Sequence, residues 1–478
     1  MKFEDYMLNE NILKAIDLLN YKHPTEVQRQ SIPLVLEGKD VIVKSQTGSG
    51  KTAAFGIPIC EKIVIDEKAP QALILTPTRE LCVQIKEDIT NIGRLKGVRC
   101  AAIFGKQPVS MQVRELKQRV HVIAGTPGRT LDHIERGNIT LDKIKFLVID
   151  ESDKMLNMGF IDQVEAIINK LPGNRQTMLF SATMPEEIRS LCEKYMVNPV
   201  EVETKSETIT ANSINQVLYR VNKDEKYNLL VKLLYTENPE SCIIFCSTKD
   251  TTDKLSKRLQ QSKFSVKELH GSIVQDERLK TMKSFKRGEF RFLVATDVAG
   301  RGIDIEDLSL IINYDVPEEK ESYVHRIGRT GRAGKRGKAI TFAASIEEKY
   351  LRAIEEYLNY SIPLGLIPSE ENVEAAKKKF LISKNAVPKP KKDKGQLINK
   401  QISKLYIGAG RKKKIRAVDI VGAILSIEGI SADNIGVIDI QENFSYVDIL
   451  DGKGQIVLDD LKVSRIKGKI VKVELAVK

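Results

Sequence analysis

Asp40-Val41-Ile42-Val43-Lys44-Ser45-Gln46-Thr47-Gly48-Ser49-Gly50-Lys51-Thr52 is the stretch on which the fold turns. An apolar β-rich run enters a glycine-punctuated loop, and Gly-Lys-Thr then opens an apolar helical stretch over residues 53–63. Strand, glycine loop and helix in this order make a phosphate cradle. Backbone N–H groups and the helix N-terminus meet the phosphates, Lys51 neutralises terminal oxygens, and the Thr52 hydroxyl is placed to ligate Mg2+. Ser45, Gln46, Thr47, Gly48, Ser49, Gly50, Lys51 and Thr52 are thus the candidate nucleotide contacts, with ATP and Mg2+ expected. Ser45 stands where the general pattern has its first glycine.

Outward from this loop the same grammar repeats. Runs at residues 72–76, 121–125, 146–150 and 177–181 are short and apolar, separated by helical patterns, and read as buried parallel strands of a doubly wound sheet. Function belongs at their C-terminal ends. After a polar stretch, residues 205–214, read as an interlobe linker, the pattern restarts with runs at 241–246, 265–269, 291–295, 308–314 and 338–342. The expectation is an α/β protein with two RecA-like lobes, residues 1–204 and 215–367. Residues 368–403, lysine-rich and proline-punctuated, read as a basic flexible linker. Residues 404–478 follow the order βαββαβ of a small α+β module.

The chain has 478 residues, 42% hydrophobic and 29% charged, so a multidomain globular protein is expected. No apolar run reaches the ~20 residues that cross a bilayer, and Met-Lys-Phe-Glu-Asp-Tyr is no secretory leader, so a cytoplasmic protein without a membrane partner is expected. Six scattered cysteines and only five histidines argue for buried thiols over a zinc site. A net charge of +12 favours an anionic partner or solubility, depending on where the lysines lie.

Two further runs carry chemistry. Asp150-Glu151-Ser152-Asp153 closes an apolar strand. There Asp150 can hold Mg2+ through water and Glu151 can orient or deprotonate the attacking water, the bland reading being an acidic turn at a helix start. Tyr323-Val324-His325-Arg326-Ile327-Gly328-Arg329-Thr330-Gly331-Arg332 places Arg329 and Arg332 three apart, on one face if the run is helical. Aimed at a γ-phosphate, they would stabilise charge in the transition state. A basic face touching RNA or solvent is the other reading.

With these residues together, roughly residues 1–365 resemble the DEAD-box ATP-dependent RNA helicases of superfamily 2, with many motifs in order. Residues 21–28, with Phe3, resemble the Q motif, which implies that Gln28 reads the adenine edge and that an aromatic such as Tyr21 stacks on the base. Pro77, Thr78 and Arg79 resemble motif Ia, and Thr126, Pro127 and Arg129 motif Ib, both RNA-backbone contacts in the family. Gly105 is a further such contact, although Lys106 follows it where many members have a second glycine. Motif II carries Ser152 in place of the alanine that names the family. Ser181-Ala182-Thr183 matches motif III, so Ser181, Thr183 and Asp153 are implied to couple ATP state to RNA, with His325 as a further coupling residue. In the second lobe the resemblance makes Gln275, Arg278 and Thr296 RNA contacts, Asp304 a ribose contact, and Arg329 and Arg332 arginine fingers.

In the last module, Tyr406 and Tyr446 sit where an RNA-recognition motif stacks bases, and base stacking and edge packing both remain open. Arg411, Lys412, Lys413, Lys414 and Arg416 open the predicted helix at 417–427 and suit phosphate. Residues 404–478 resemble the RNA-binding domain of the bacterial DbpA/YxiN helicases. That resemblance implies an RNA helicase directed to 23S ribosomal RNA in large-subunit precursors, and a monomer is expected. An ATP-gated RNA clamp shares every motif, and a DNA translocase of the same superfamily is a more distant alternative.

Overall fold

The computed structural model describes residues 1–45, 48–204, 214–297, 308–331, 337–384 and 402–476. In the first lobe, β1 (Val41–Lys44), β2 (Ala72–Leu75), β3 (Cys100–Ile103), β4 (Val122–Gly125), β5 (Phe146–Asp150), β6 (Gln176–Ser181) and β7 (Val200–Glu203) form one parallel sheet in the order β3-β4-β2-β5-β6-β1-β7. Alternation splits its core in two. Val41, Val43, Ile74, Val148 and Phe180 face one cluster, whereas Ile42, Leu73, Leu75, Leu147 and Leu179 face the other. A sheet covered on both faces by helices has no polar side, which is why its strands read as unbroken apolar runs.

The second lobe repeats the plan with β8 (Ile214–Arg220), β9 (Cys242–Cys246), β10 (Val266–Leu269), β11 (Phe292–Thr296), β12 (Leu310–Asn313) and β13 (Gly337–Ala343), ordered β10-β11-β9-β12-β13-β8 and all parallel. Strands β3, β7 and β8 had no counterpart in the sequence reading. Each lies at a sheet edge, where one neighbour is missing and the apolar signal is shortest or diluted, as in Val-Glu-Val-Glu.

The expected flexible linker at 368–403 is corrected over its first half. Glu370–Lys384 is a helix. Its Phe380, 3% exposed, packs edge-on to Tyr235 and onto Phe264 and Phe292, beneath the Arg291 guanidinium. Burying one such ring contributes roughly 2–3 kcal/mol, enough to fix a segment whose lysines alone look like a tether. Residues 205–213 and 385–401 lie outside the described residues.

The last module is βαββαβ: β14 (Ser403–Ile407), a helix Ala417–Leu425, β15 (Ile435–Ile440), β16 (Ser445–Ile449), a helix Gly454–Val463 and β17 (Val473–Leu475). Its sheet is antiparallel in the order β15-β16-β14-β17. Leu405, Ile407, Val447, Ile449, Ile420, Ile424, Val457 and Leu461 form its core. All six cysteines are buried and unbridged. No helix among the described residues is long and apolar enough to cross a membrane.

Candidate functional site

Three loops of the first lobe meet at the C-terminal ends of adjacent strands. Lys44 pairs with Ser181, Asp150 pairs with Phe180, and the Ser45 N–H donates to Ser181 O at 2.9 Å. The phosphate loop, the acidic turn and the Ser-Ala-Thr turn therefore share one edge. Gly48 (φ +81°) and Gly50 (φ +90°) take left-handed conformations at which a side chain would be strained. Lys51 begins the helix Lys51–Lys62, is 8% exposed, and donates from Nζ to Ser45 O at 3.3 Å. Gln46 and Thr47 lie outside the described residues.

Residues near the N-terminus brace this loop. Thr25 caps the helix Glu26–Leu36 and donates from Oγ1 to Ser49 O at 2.8 Å. Gln28, 5% exposed, donates from Nε2 to Gly50 O at 3.0 Å and accepts the Thr25 N–H at Oε1, also 3.0 Å. A Cβ on Gly50 would stand 2.4 Å from Gln28 Nε2, so the second glycine also serves this contact. Phe3 is 3% exposed against Tyr6, whereas Tyr21 is half-buried and the more accessible of the two.

In the acidic turn, burial pushes the Asp150 carboxyl up to about 6, with Lys51 opposing the shift and Glu151 adding to it. Asp150 Oδ1 accepts the Glu151 N–H at 2.9 Å. Glu151 takes a left-handed conformation (φ 53°) and pairs with Lys154 at 2.7 Å. Asp153 is the joint between two motifs. Its Oδ2 accepts from Ala182 N (3.2 Å), Thr183 N (3.0 Å) and Thr183 Oγ1 (3.1 Å), while its own N–H donates to Ser181 Oγ at 3.2 Å. Asp153, Ser181 and Thr183, predicted as a group, are brought together.

Along the same edge, Thr78 caps the helix Arg79–Gly93 through the Leu81 N–H, and Gly105 faces the Arg79 guanidinium. Pro77 leads into that cap. Thr126 and Pro127 begin the helix Pro127–Glu135, from which Arg129 Nη1 donates to Gln107 O (3.0 Å) and Gln112 Oε1 (2.9 Å). Gln112, 2% exposed, also donates to Phe104 O at 2.8 Å and pairs with His133 at 2.9 Å. It joins the loop of Gly105 to that of Arg129, a role no local pattern announces. Lys106 adopts φ +63°, the physical reason a glycine suits that position.

In the second lobe Thr296 ends β11 and is buried, as are Gln275 and Arg278 at the start of the helix Gln275–Lys286. The arginine run differs from the helical expectation. Its helix, Lys320–Ile327, carries His325 but ends before Arg329, whose N–H turns back to Arg326 O at 3.2 Å. Gly328, Gly331 (φ +70°) and the Thr330 hydroxyl bond to Leu308 O suit a tight turn better than a helix. Arg332 and Asp304 lie outside the described residues. The sequence reading also passed over Arg326. Buried, it forms a fork on Asp297 (2.6 and 2.5 Å), reaches Asn313 Oδ1 at 3.1 Å and lies over the Phe245 ring. A separate trio, Asp253, Glu268 and His270, resolves as a His–carboxylate pair: Nδ1 accepts from Ser272 N, and Nε2 meets Asp253 at 2.8 Å.

In the last module, Arg411, Lys412, Lys413, Lys414 and Arg416 are all exposed, pinned by Ile415 at 2% exposure. The Arg411 and Lys412 N–H groups donate to Gln441 O and Glu442 O, both at 2.9 Å. A second turn brings Lys467 Nζ to Lys414 O (2.6 Å) and Lys469 Nζ to Lys413 O (3.3 Å), so two cationic loops form one ridge. Tyr406 and Tyr446 face each other in register at 5.8 Å, and Phe444, not among the residues read as stacking, completes an aromatic triad.

Three family models match the chain. The DEAD/DEAH box helicase family matches residues 25–191, the helicase conserved C-terminal domain residues 225–334, and the DbpA RNA binding domain residues 404–475. The chain is 54% identical to the ATP-dependent RNA helicase DbpA of Bacillus subtilis over 99% of both chains. It is 46% identical to the ATP-dependent RNA helicase CshA of Listeria monocytogenes over 74% of this chain and 68% of that one. A structure of S. cerevisiae Dbp5 bound to RNA and ADP BeF3 is similar with a TM-score of 0.69 and 32% identity, covering 80% of this chain and 99% of that one.

Proposed function

The chain belongs to the DEAD-box family of ATP-dependent RNA helicases, within its DbpA group, and on that premise we propose that it separates short duplexes in 23S ribosomal RNA during large-subunit assembly. The observation that carries the target is the exposed ridge of Arg411, Lys412, Lys413, Lys414 and Arg416 with Lys467 and Lys469 on a module of DbpA type. Exposed cations on a folded scaffold grip phosphate, while the scaffold's shape selects a structured RNA.

In this reading the glycine loop and the Lys51–Lys62 helix N-terminus hold the ATP phosphates, with Lys51 leaving Ser45 O for the terminal oxygens. Tyr21 and Gln28 address the adenine, and the Gln28 bond to Gly50 O links base recognition to phosphate recognition. Thr52 and Asp150 are the residues that would hold Mg2+, which supplies charge neutralisation on the phosphates. The donor set fits: Asp150 is a buried carboxylate whose charge burial disfavours and a cation would favour. Glu151 orients the attacking water and takes its proton. Arg329 and Arg332 stabilise the developing charge, and Asp304 contacts the ribose. Asp153, held by Thr183 and Ser181, passes the nucleotide state to the RNA-facing turns of Pro77, Thr78, Arg79, Gly105, Thr126, Pro127 and Arg129, with His325, Gln275, Arg278 and Thr296 serving from the second lobe. The protein acts as a cytoplasmic monomer.

The test compares ATPase stimulation by 23S ribosomal RNA and by generic RNA, in the full chain and in a variant with residues 411–414 all changed to Ala. The expected outcome is a preference for ribosomal RNA in the full chain that the variant loses while its stimulation by generic RNA persists. An equal preference in both would end the targeting reading. RNA-stimulated hydrolysis without strand release on a duplex beside the docking RNA would leave an ATP-gated clamp instead.

A further inference from the structure

We infer that Lys154, one residue beyond the acidic motif, is a positioning residue for hydrolysis that holds the Glu151 carboxylate in place. This rests on the reading of Glu151 as the residue that orients and deprotonates water. Lys154 Nζ and Glu151 Oε1 are 2.7 Å apart, and both side chains are 7% exposed. A pair so dry is not ornamental. Removing one partner of a buried ion pair leaves the other charge out of water and without that counter-ion.

The backbone prepares the contact. Glu151 sits in the left-handed region at φ 53° and ψ 48°, at the N-terminus of the helix Ser152–Asn157. Lys154, three residues on, is thereby turned to the same side of the first turn. Its own N–H is held twice, by Glu151 O at 3.0 Å and by Asp153 Oδ1 at 2.9 Å. Asp153 is in turn bonded to Thr183, so the lysine that grips Glu151 is tied to the turn that couples ATP state to RNA. A carboxylate that must meet one water at one angle gains from such a clamp, since a misplacement of about 1 Å can cost 100-fold in rate.

The test is steady-state ATPase kinetics with saturating RNA on the full chain. Lys154→Met is expected to lower kcat by about 10- to 100-fold with KM for ATP within about twofold of the parent. Lys154→Arg, which keeps charge and donor, is expected to recover most of kcat. In a Glu151→Gln background, Lys154→Met is expected to cost no more than about twofold, because the group it positions is already disabled. An unchanged kcat in Lys154→Met, or an undiminished loss in the Glu151→Gln background, overturns the inference. If Lys154→Met melts below assay temperature, Lys154→Gln carries the same comparison, with a folded state verified by circular dichroism. Activity retained by Glu151→Gln alone would instead refute the underlying role of Glu151, a separate result from a silent Lys154.

Discussion

The nucleotide corner of the first lobe and the cationic ridge of the last module are both proposed to address phosphate, yet they are built in opposite ways. Lys51, Asp150, Glu151 and Asp153 are all buried and are held by bonds within the phosphate loop, within the acidic turn and to the Ser-Ala-Thr turn. Arg411, Lys412, Lys413, Lys414 and Arg416 are exposed and backed mainly by main chain. A buried charge interacts strongly and is expensive to misplace, so the corner is a unit in which single changes are severe. Exposed charges are screened over about 10 Å, so the ridge is a sum of small, salt-sensitive terms. Chemistry needs the first design. Reversible docking on a polyanion needs the second.

The largest expected effect separates activity from stability in the buried corner. Asp150→Asn removes the charge proposed to hold the metal, so RNA-stimulated hydrolysis is expected to fall about 100- to 1,000-fold, on the order of losing a preorganised transition-state group. The ligand-free protein is expected to become more stable at pH 7. Burial raises the Asp150 carboxyl from 3.8 to about 6, so between those values the folded state keeps a proton that the unfolded state has lost. Stability therefore declines as pH rises through that window, by about 3 kcal/mol at most. Thermal melting at pH 4 and pH 7 checks this: the stabilisation should appear at pH 7 and vanish at pH 4. A destabilised Asp150→Asn at pH 7 would break the contrast. On the same grounds, ATPase kcat/KM of the parent should decline below about pH 6 as Asp150 gains its proton.

A smaller effect is expected at Ser152, the departure from the family's alanine. Its hydroxyl is wholly buried with no hydrogen-bond partner among the described residues, which costs about 1–3 kcal/mol. Ser152→Ala should therefore raise the melting temperature and leave ATPase kinetics within about twofold. A lower melting temperature would mean that the hydroxyl is satisfied. The smallest effect belongs to the ridge. Lys412→Ala should weaken RNA binding only a few-fold and flatten the slope of log affinity against log salt by about one, measured by titration at several salt concentrations. A loss of 100-fold from that one residue would show the ridge to be as tightly coupled as the corner.

Much of the corner was legible because its requirements are local. A phosphate loop needs glycines, a lysine and a hydroxyl within eight positions, and the acidic turn needs consecutive carboxylates after an apolar strand. The pairing of Asp153 with Ser181 and Thr183 was legible only through family resemblance, since 28 residues separate the nearest of these positions. What escaped entirely were contacts whose partners carry no motif. Gln112 is an ordinary glutamine until the fold sets it between Phe104, Arg129 and His133. Arg326 was one arginine in a rich run until Asp297, Asn313 and Phe245 enclosed it.

The amino-acid sequence by itself determined two α/β lobes, a βαββαβ module, the phosphate loop and its acidic partner, because strand periodicity and loop chemistry act over a few residues. Only the tertiary structure decided that Phe380 pins a lysine-rich helix to the second lobe, that the arginine run turns before Arg329, and that Lys467 joins Lys414 on one ridge. Those outcomes depend on which distant surfaces are buried together. Burial is a property of the packed chain.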